Sequence, residues 1–139
     1  MIILDTNVVS EPLKPSAAPA VLSWLDQQDI ETLFLTAISV AELRFGIAAL
    51  PSGSKQRGLR DEFEDRILSL FEGRILPFDF AATDSYARIR SDARIAGRAV
   101  GTADGYIAAI AATHQFAVAT RDTSPFEAAG VPVINPWKK

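Results

Sequence analysis

Short apolar runs alternate with longer stretches of helical periodicity along this chain. Runs of three or four mostly apolar residues predict strands at 2–4, 33–36, 75–78, 117–120 and 131–134. Between them, apolar residues recur every three or four positions, which predicts helices at about 20–28, 39–50, 59–72, 80–97 and 104–114. Strands that alternate with helices indicate a parallel sheet covered on both faces, so the predicted fold is a three-layer α/β/α sandwich.

The predicted elements belong to one domain. The chain has 139 residues, a length that fits a single hydrophobic core. Its most linker-like piece, the polar loop 51–58, is too short to separate two domains. Hydrophobic residues make up 48% and charged residues 22%, which is typical of a globular protein. We therefore expect a single domain over residues 1–139.

Composition excludes several kinds of chemistry. The chain has no cysteine, which excludes disulfides, thiolate metal sites and a cysteine nucleophile. No apolar stretch nears the ~20 residues of a membrane helix and no signal-type segment is found, so we expect a soluble, cytoplasmic protein with no membrane partner. The net charge of −3 lacks the basic footprint of many nucleic-acid binders. An acidic site would, however, hide local basic faces in that figure.

Four acidic residues stand just after predicted strands or at the start of the helices that follow. They are Asp5, Glu42, Asp104 and Asp122. The carboxyl ends of parallel strands meet at one edge of a sheet, where ligands bind, so the four carboxylates should converge. Their mutual repulsion predicts a bound cation. Oxygen ligands without a Cys or His cluster favour Mg²⁺, with Mn²⁺ as the alternative, over zinc.

Each acid also has a local explanation. Glu42 could form a capping box with Ser39, and the helix dipole favours a carboxylate at Asp104. Asp5 could cap a first helix, and Asp122 could form an Asx turn. Capping accepts Ser, Thr, Asn or Asp, so an acid at every strand-to-helix crossing favours a shared site.

Arginines recur near the predicted site. Arg90, Arg94 and Arg98 are spaced by four residues on and just after helix 80–97, and we call them the arginine stripe; Arg44 lies two residues beyond Glu42. Such a stripe is either a solvated face paired with Asp84 and Asp92 or a surface that holds RNA phosphates. The sequence leaves both interpretations open.

Four motifs together resemble those of a known family. They are Ile-Leu-Asp-Thr-Asn at 3–7, Ser-Val-Ala-Glu-Leu at 39–43, Gly-Thr-Ala-Asp-Gly-Tyr-Ile-Ala-Ala at 101–109 and Ala-Thr-Arg-Asp at 119–122. In this order and spacing they resemble PIN-domain ribonucleases, and within that family the VapC-type toxins of the FitB-like subgroup. The resemblance extends from Ile2 to Trp137.

The resemblance implies a PIN-like fold and a metal-dependent endoribonuclease that acts as the toxin of a toxin–antitoxin pair. Asp5, Glu42, Asp104 and Asp122 match the family's acidic quartet, and Thr6 and Thr120 match positions that often support the metal or its waters. The products would carry 5′-phosphate and 3′-hydroxyl ends. Many members have Asn in place of Asp122 and an Asp-Phe pair shortly after it. Here Pro125-Phe126 occupies that pair, so the fourth acid rests on Asp122.

The resemblance also implies a homodimer neutralised by a small antitoxin, which would supply DNA binding and fill a groove on the toxin. The candidate groove lies between segment 10–19 and helices 39–50 and 59–72, where apolar side chains exceed the needs of one small core. These are Leu43, Phe45, Leu50, Leu59 and Phe63.

The sequence also suggests two other functions. A phosphatase of the haloacid-dehalogenase type would need a second acid two residues after Asp5, where Asn7 stands. A non-catalytic PIN-like scaffold could instead serve a DNA-binding partner. The only histidine, His114, ends an Ala-rich helix and is interpreted as structural, and its solitude excludes a ribonuclease with two catalytic histidines.

Overall fold

Five parallel strands form a single sheet at the centre of the molecule. The computed structural model describes residues 1–138, and its strand order is β3-β2-β1-β4-β5. Central strand β1 pairs with β2 on one side and with β4 on the other. The strands are β1 (Ile2–Leu4), β2 (Leu33–Thr36), β3 (Ile75–Leu76), β4 (Ala117–Ala119) and β5 (Val133–Ile134).

Helices cover both faces of this sheet, which confirms the predicted α/β/α sandwich. They are α1 (Thr6–Ser10), α2 (Pro19–Asp26), α3 (Ala37–Ala48), α4 (Ser54–Asp61), α5 (Leu68–Leu70), α6 (Phe80–Ile95), α7 (Thr102–His114) and α8 (Ser124–Ala128). Short 3-10 turns occupy Glu11–Leu13 and Ile30–Thr32, and the π-helical segment Glu62–Ile67 joins α4 to α5. None of the helices within residues 1–138 combines the length and apolar character that a bilayer crossing requires.

Successive side chains along the strands point to opposite faces of the sheet and pack in two separate hydrophobic cores. Ile3 and Val118 face the core formed with α6, α7 and α8, which includes Ile107 and Phe126. Their neighbours in sequence face the opposite core, formed with α1, α2, α3 and the π-helical segment; its members include Leu4, Val8, Val21, Leu35, Leu43, Phe63, Phe71 and Ala119. This period of two is what a strand buried on both faces produces. Leu4 and Ala119 are paired across β1 and β4, so the ends of these two strands lie side by side.

Several predicted boundaries were wrong. Helix α3 begins at Ala37, two residues before the predicted start, because the Thr36 side chain caps it. The predicted loop 51–58 ends early, since α4 begins at Ser54. Strand β3 ends at Leu76, just before Pro77, which has no N–H to donate to a sheet. Helix α8 was not predicted, and α1 was foreseen only as the first helix that Asp5 could cap.

The helices also differ from the predicted ranges in length and continuity. Helix α6 ends at Ile95, before the predicted end at 97, and Gly97 follows it with φ of 71°. The predicted helix 59–72 is interrupted by the π-helical segment, and Leu70 is 56% exposed while Phe71 is buried. Leu22 on α2 is likewise 37% exposed.

Candidate active site at the carboxyl edge of the sheet

Asp5 follows the central strand and is buried, with 6% of its surface exposed. Its Oδ1 accepts a hydrogen bond of 2.8 Å from the Thr6 backbone N–H, so Asp5 caps α1 as its local explanation predicted. Its Oδ2 accepts a second bond of 2.8 Å, from the Thr120 hydroxyl beyond β4. Capping explains only the first of these bonds. The second joins the ends of two neighbouring strands.

Thr120 is the centre of a small hydrogen-bond network. Besides donating to Asp5, its hydroxyl oxygen accepts bonds from the Asp122 backbone N–H at 3.1 Å and from Asn7 Nδ2 at 3.3 Å. Asn7 Oδ1 in turn accepts from the Arg121 backbone N–H at 3.2 Å. Asn7 was not among the predicted site residues, and the only signal for it was its place in the motif two residues after Asp5. Because the Thr120 hydroxyl oxygen accepts two hydrogen bonds, its own proton is directed to Asp5 Oδ2.

Glu42 is exposed on the first half of α3 and faces α1. Its Oε1 accepts a hydrogen bond of 2.9 Å from the Thr6 hydroxyl. The predicted capping box with Ser39 was wrong, because the Ser39 backbone N–H donates instead to Thr36 Oγ1 at 3.1 Å. Capping of α3 therefore does not explain why an acid stands at position 42. Both predicted supporting threonines, Thr6 and Thr120, contact a predicted site acid.

Asp104 lies in the first turn of α7 and is half-buried. Burial, followed by the charges of Asp5, Asp122 and Glu42, raises its pKa to about 6. Burial also raises the pKa of Asp5, against the lowering effect of its bonds from Thr120 and Thr6, and the charges of Glu42 and Asp122 add to the rise. Asp5 therefore lies within electrostatic range of Glu42 and Asp122, and Asp104 lies within range of all three other acids.

Asp122 is the exposed member of the group. Its carboxylate makes no hydrogen bond within residues 1–138, so the predicted Asx turn is not formed there. Pro125 and Phe126 are buried at the start of α8. They serve the core and supply no carboxylate. Asp122 is therefore the acid that this segment offers to the site.

The cluster has an unbalanced negative charge. No ion pair of residues 1–138 includes any of the four acids, and the nearby Arg121 guanidinium lies over the Trp137 ring, 5.2 Å from its centroid. Over the same range, no three Asp, Glu or His side chains are already arranged to hold a metal ion. The oxygen-only donors suit Mg²⁺ or Mn²⁺, and exposed Glu42 and Asp122 can still reorient.

The arginine stripe borders this edge of the sheet. Arg90, Arg94 and Arg98 line one cavity of about 570 Å³ that reaches Gly101, just before α7. Ion pairs with Asp84 or Asp92, one of the two interpretations, are not formed in residues 1–138. Arg44 differs, because its Nε and Nη2 donate to the Glu64 carboxylate at 2.7 and 3.0 Å. That pairing neutralises its charge and does not favour RNA binding.

A cavity lies where the partner groove is predicted, and three of its five predicted apolar residues line it. A cavity of about 660 Å³ opens beside Thr6 and Glu42 and is lined by Leu43, Leu50 and Leu59. Phe63 was assigned to this surface but is fully buried in the core, and Phe45, although 75% exposed, does not line the cavity.

His114 is exposed at the end of α7, where its ring lies 5.4 Å from that of Phe116.

Comparison with known proteins agrees with this geometry. The family model of the PIN domain matches residues 2–131. The chain is 55% identical to the VapC ribonuclease Y4jK of Sinorhizobium fredii over 138 residues, 99% of each chain. It is 53% identical to toxin FitB of Neisseria gonorrhoeae over 137 residues, again 99% of each chain. The structure of FitAB bound to an IR36 DNA fragment superposes with a TM-score of 0.97 at 52% identity, covering 100% of this chain and 97% of that one. The chain therefore belongs to the PIN-domain family, among its VapC and FitB toxins.

Proposed function

We propose that the protein is a divalent-metal-dependent endoribonuclease and the toxin of a toxin–antitoxin pair. The observation that carries this proposal is the group of four carboxylates, Asp5, Glu42, Asp104 and Asp122, at the edge where the strands end. Burial, and after it the negative charge of the neighbouring acids, raises the pKa values of Asp5 and Asp104, an effect that a bound cation would offset. VapC ribonuclease Y4jK, to which the chain is 55% identical, is named for the activity proposed.

The four carboxylates would together hold Mg²⁺ or Mn²⁺. When bound, such an ion supplies an activated water and neutralises charge on the phosphoryl oxygens of the substrate. Thr120 and Thr6 donate hydrogen bonds to Asp5 and Glu42, which fixes one oxygen of each carboxylate and leaves the other side of Glu42 unengaged. Asp5 is buried, so its position is set by the protein and not by solvent.

A cleavage assay tests the proposal directly. Purified protein is incubated with tRNA, rRNA and single-stranded oligonucleotides, with and without Mn²⁺, and the cut ends are mapped. We expect internal cuts with 5′-phosphate and 3′-hydroxyl ends only in the presence of metal. Asp5→Asn and Asp104→Asn should abolish cleavage while preserving shape and most hydrogen bonding.

The matched control is Asp29→Asn. Like Asp5, Asp29 caps a helix, since its Oδ1 accepts from the Glu31 backbone N–H at 3.1 Å. Unlike Asp5, it is exposed, precedes β2 and lies at the opposite edge of the sheet. This variant should cleave as well as the wild type. Full cleavage by both Asp5→Asn and Asp104→Asn would refute the assignment of the site.

The arginine stripe extends the proposal to the path of the RNA. Arg90, Arg94 and Arg98 share a cavity that ends at Gly101, three residues before Asp104. Their charges are not used in ion pairs with Asp84 or Asp92. A single-stranded RNA that enters the site would therefore meet positive charge next to the acids. Arg44 is omitted from this path because it is paired with Glu64.

A small antitoxin is the proposed partner, together with a second copy of the chain. The chain has no DNA-reading motif, whereas the similar FitAB structure contains a DNA fragment, so operator binding should require the partner. The groove lined by Leu43, Leu50 and Leu59 would receive it. A gel shift with promoter DNA should show binding only when both proteins are present. Tight promoter binding by this chain alone would contradict the proposal.

One observation favours a second candidate, a non-catalytic scaffold for a DNA-binding partner. No three acids in residues 1–138 already form a metal cage. Calorimetric titration with Mn²⁺ separates the candidates, because a pure scaffold should show no binding that Asp5→Asn removes. The phosphatase alternative is not favoured, since the Asn7 side chain is already bonded to Thr120 and to the Arg121 backbone.

A further inference from the structure

Arg90 is the fixed member of the arginine stripe. Its Nη1 donates to the Tyr86 hydroxyl at 2.7 Å and lies 3.5 Å from the Thr102 hydroxyl. Its guanidinium carbon is 5.6 Å from the centroid of the Tyr86 ring. Arg94 and Arg98 are exposed, whereas Arg90 is half-buried. The contacts engage one of three guanidinium nitrogens, so the N–H groups of Nε and Nη2 remain for a ligand.

Tyr86 is itself held in place by neighbouring aromatic rings. It stacks on Tyr106, with ring centroids 4.7 Å apart and planes inclined by 20°. The Phe78 ring meets both tyrosines edge-on, at 5.9 and 4.8 Å. Stacked and edge-on contacts stabilise aromatic pairs beyond the burial of the rings alone. The Tyr86 hydroxyl that accepts the hydrogen bond from Arg90 is therefore held in place. Its ring packs on Tyr106 of α7, two residues after Asp104.

Gly105 explains how Arg90 packs against the start of α7. A Cβ at this position would lie 3.1 Å from Tyr86 Cε2 and 3.2 Å from Arg90 Cδ, closer than a carbon atom ordinarily tolerates. Glycine within a helix is less favourable than alanine. Here its missing side chain lets Tyr86 and Arg90 pack against the first turn of α7, beside Asp104.

The cavity in front of Arg90 has the charge and size for part of a nucleic-acid strand. Its volume is about 570 Å³, and Arg90, Arg94 and Arg98 all line it. No acid pairs with these three arginines within residues 1–138. The planar guanidinium fork matches the oxygens of a phosphate group in geometry as well as in charge.

We propose that this cavity binds a phosphate of the RNA strand adjacent to the bond that is cut, and that Arg90, held by Tyr86, Thr102 and Gly105, is its anchor. Arg94 and Arg98 contribute charge without fixed geometry. The inference rests on the proposed endoribonuclease function, because it assigns a subsite to that enzyme's substrate. It goes further in naming one positioned guanidinium and the residues that hold it.

Binding without catalysis provides the test. Fluorescence anisotropy of a labelled single-stranded RNA is measured in EDTA at several salt concentrations. Arg90→Ala should weaken binding about tenfold, as expected for loss of a charge-assisted contact. The slope of log affinity against log salt should fall by about 0.7, the value for one phosphate contact on a single strand.

Arg88→Ala is the matched control. Arg88 is exposed on the same helix and its removal changes the net charge equally, but it does not line the cavity. Its affinity should stay within about twofold of the wild type. Equal losses for Arg88→Ala and Arg90→Ala would show a net-charge effect and overturn the proposal. An unchanged affinity in Arg90→Ala would overturn it as well.

Three further variants examine the positioning of Arg90. Tyr86→Phe keeps the stacked ring but removes the hydrogen-bond acceptor, so affinity should fall by less than in Arg90→Ala while the salt slope stays unchanged. Gly105→Ala should behave in the same way by displacing both side chains. Arg90→Lys should keep the slope and lose affinity, since an ammonium retains the charge without the planar fork. If all three variants bind RNA with wild-type affinity, only the charge of Arg90 matters and its fixed position does not, which rejects the positioning role.

The outcomes separate this inference from the proposed function. Arg90-dependent binding in EDTA without metal-dependent cleavage rejects the endoribonuclease alone, whereas cleavage with Arg90-independent binding rejects the subsite alone. If the Arg90 variants lose affinity for a polyglutamate peptide but keep it for RNA, the cavity serves an acidic protein partner and the inference is wrong. Circular dichroism melts accompany each variant. If Arg90→Ala is unfolded, the comparison of Arg90→Lys with Arg88→Ala decides.

Discussion

Replacing Asp104 by asparagine should stabilise the metal-free protein at neutral pH. The pKa of this carboxyl is about 6 in the folded protein and 3.8 without the fold. Between these values the folded state binds more protons than the unfolded state, so stability falls as the pH rises through that window. Above pH 6 the folded protein carries the full destabilisation from the ionised Asp104 carboxylate. At pH 4 most of this destabilisation is absent.

The size of the effect follows from the same pKa values. At about 1.36 kcal/mol per pKa unit, the rise from 3.8 to about 6 corresponds to at most about 3 kcal/mol. Asp104 is only half-buried, so solvent screening reduces this to about 1–2 kcal/mol. Loss of a favourable charge in the first turn of α7 removes a further ~0.5 kcal/mol. We expect Asp104→Asn to gain about 1 kcal/mol at pH 7.5, which raises the melting temperature by about 3 °C.

Metal should reverse the order of stability. With Mn²⁺ at a hundred times its dissociation constant, the wild type should gain about 2.7 kcal/mol, and Asp104→Asn should gain much less. Urea unfolding is measured in EDTA and in Mn²⁺ at pH 7.5, and in EDTA at pH 4, with Asp29→Asn as the control that should follow the wild type throughout. A variant that is less stable than the wild type in EDTA at pH 7.5, or no reversal with Mn²⁺, would refute the reasoning.

Three further outcomes are expected. Asn7→Ala should reduce cleavage by about tenfold, because Thr120 loses the partner that directs its proton to Asp5; wild-type turnover of this variant would remove Asn7 from the site. Glu42→Ala should abolish cleavage but change the free energy of unfolding by less than about 0.5 kcal/mol, whereas Thr36→Ala should destabilise the protein by about 1 kcal/mol or more, since Thr36 is the residue that caps α3; urea unfolding compares the two. Analytical ultracentrifugation at micromolar concentration should show a dimer, and a strict monomer would contradict that prediction.

The layout of the sheet and the placement of the acids were predictable from the sequence. Period-two and period-3.6 patterns are local, and parallel strands necessarily end at one edge, so Asp5 and Asp104 could be placed together without coordinates. The cap of α3 could not be assigned in this way. Thr36 and Ser39 are both good capping residues, and only the backbone conformation selects between them.

Two other features lay beyond sequence reasoning for different reasons. The bond between Asn7 and Thr120 joins residues 113 positions apart, and no local pattern reports on such a contact. The π-helical segment Glu62–Ile67 is invisible because Leu59, Phe63 and Ile67 keep ordinary helical spacing. Its wider turn shifts the register that follows, so Phe71 is turned inward and Leu70 outward.

The bond between Thr120 and Asp5 has a consequence for the protein while it is being made. It spans 115 positions, and the strand that carries Thr120 also forms one side of central strand β1. A ribosome releases the N-terminal segment first, so Asp5 emerges long before the hydroxyl that orders it. A chain whose translation stops before β4 lacks both this hydroxyl and Asp122. For a protein proposed to cut RNA, chains that end before β4 would then be harmless to the ribosome and messages around them, and the hazard begins only after β4 and Asp122 have been made.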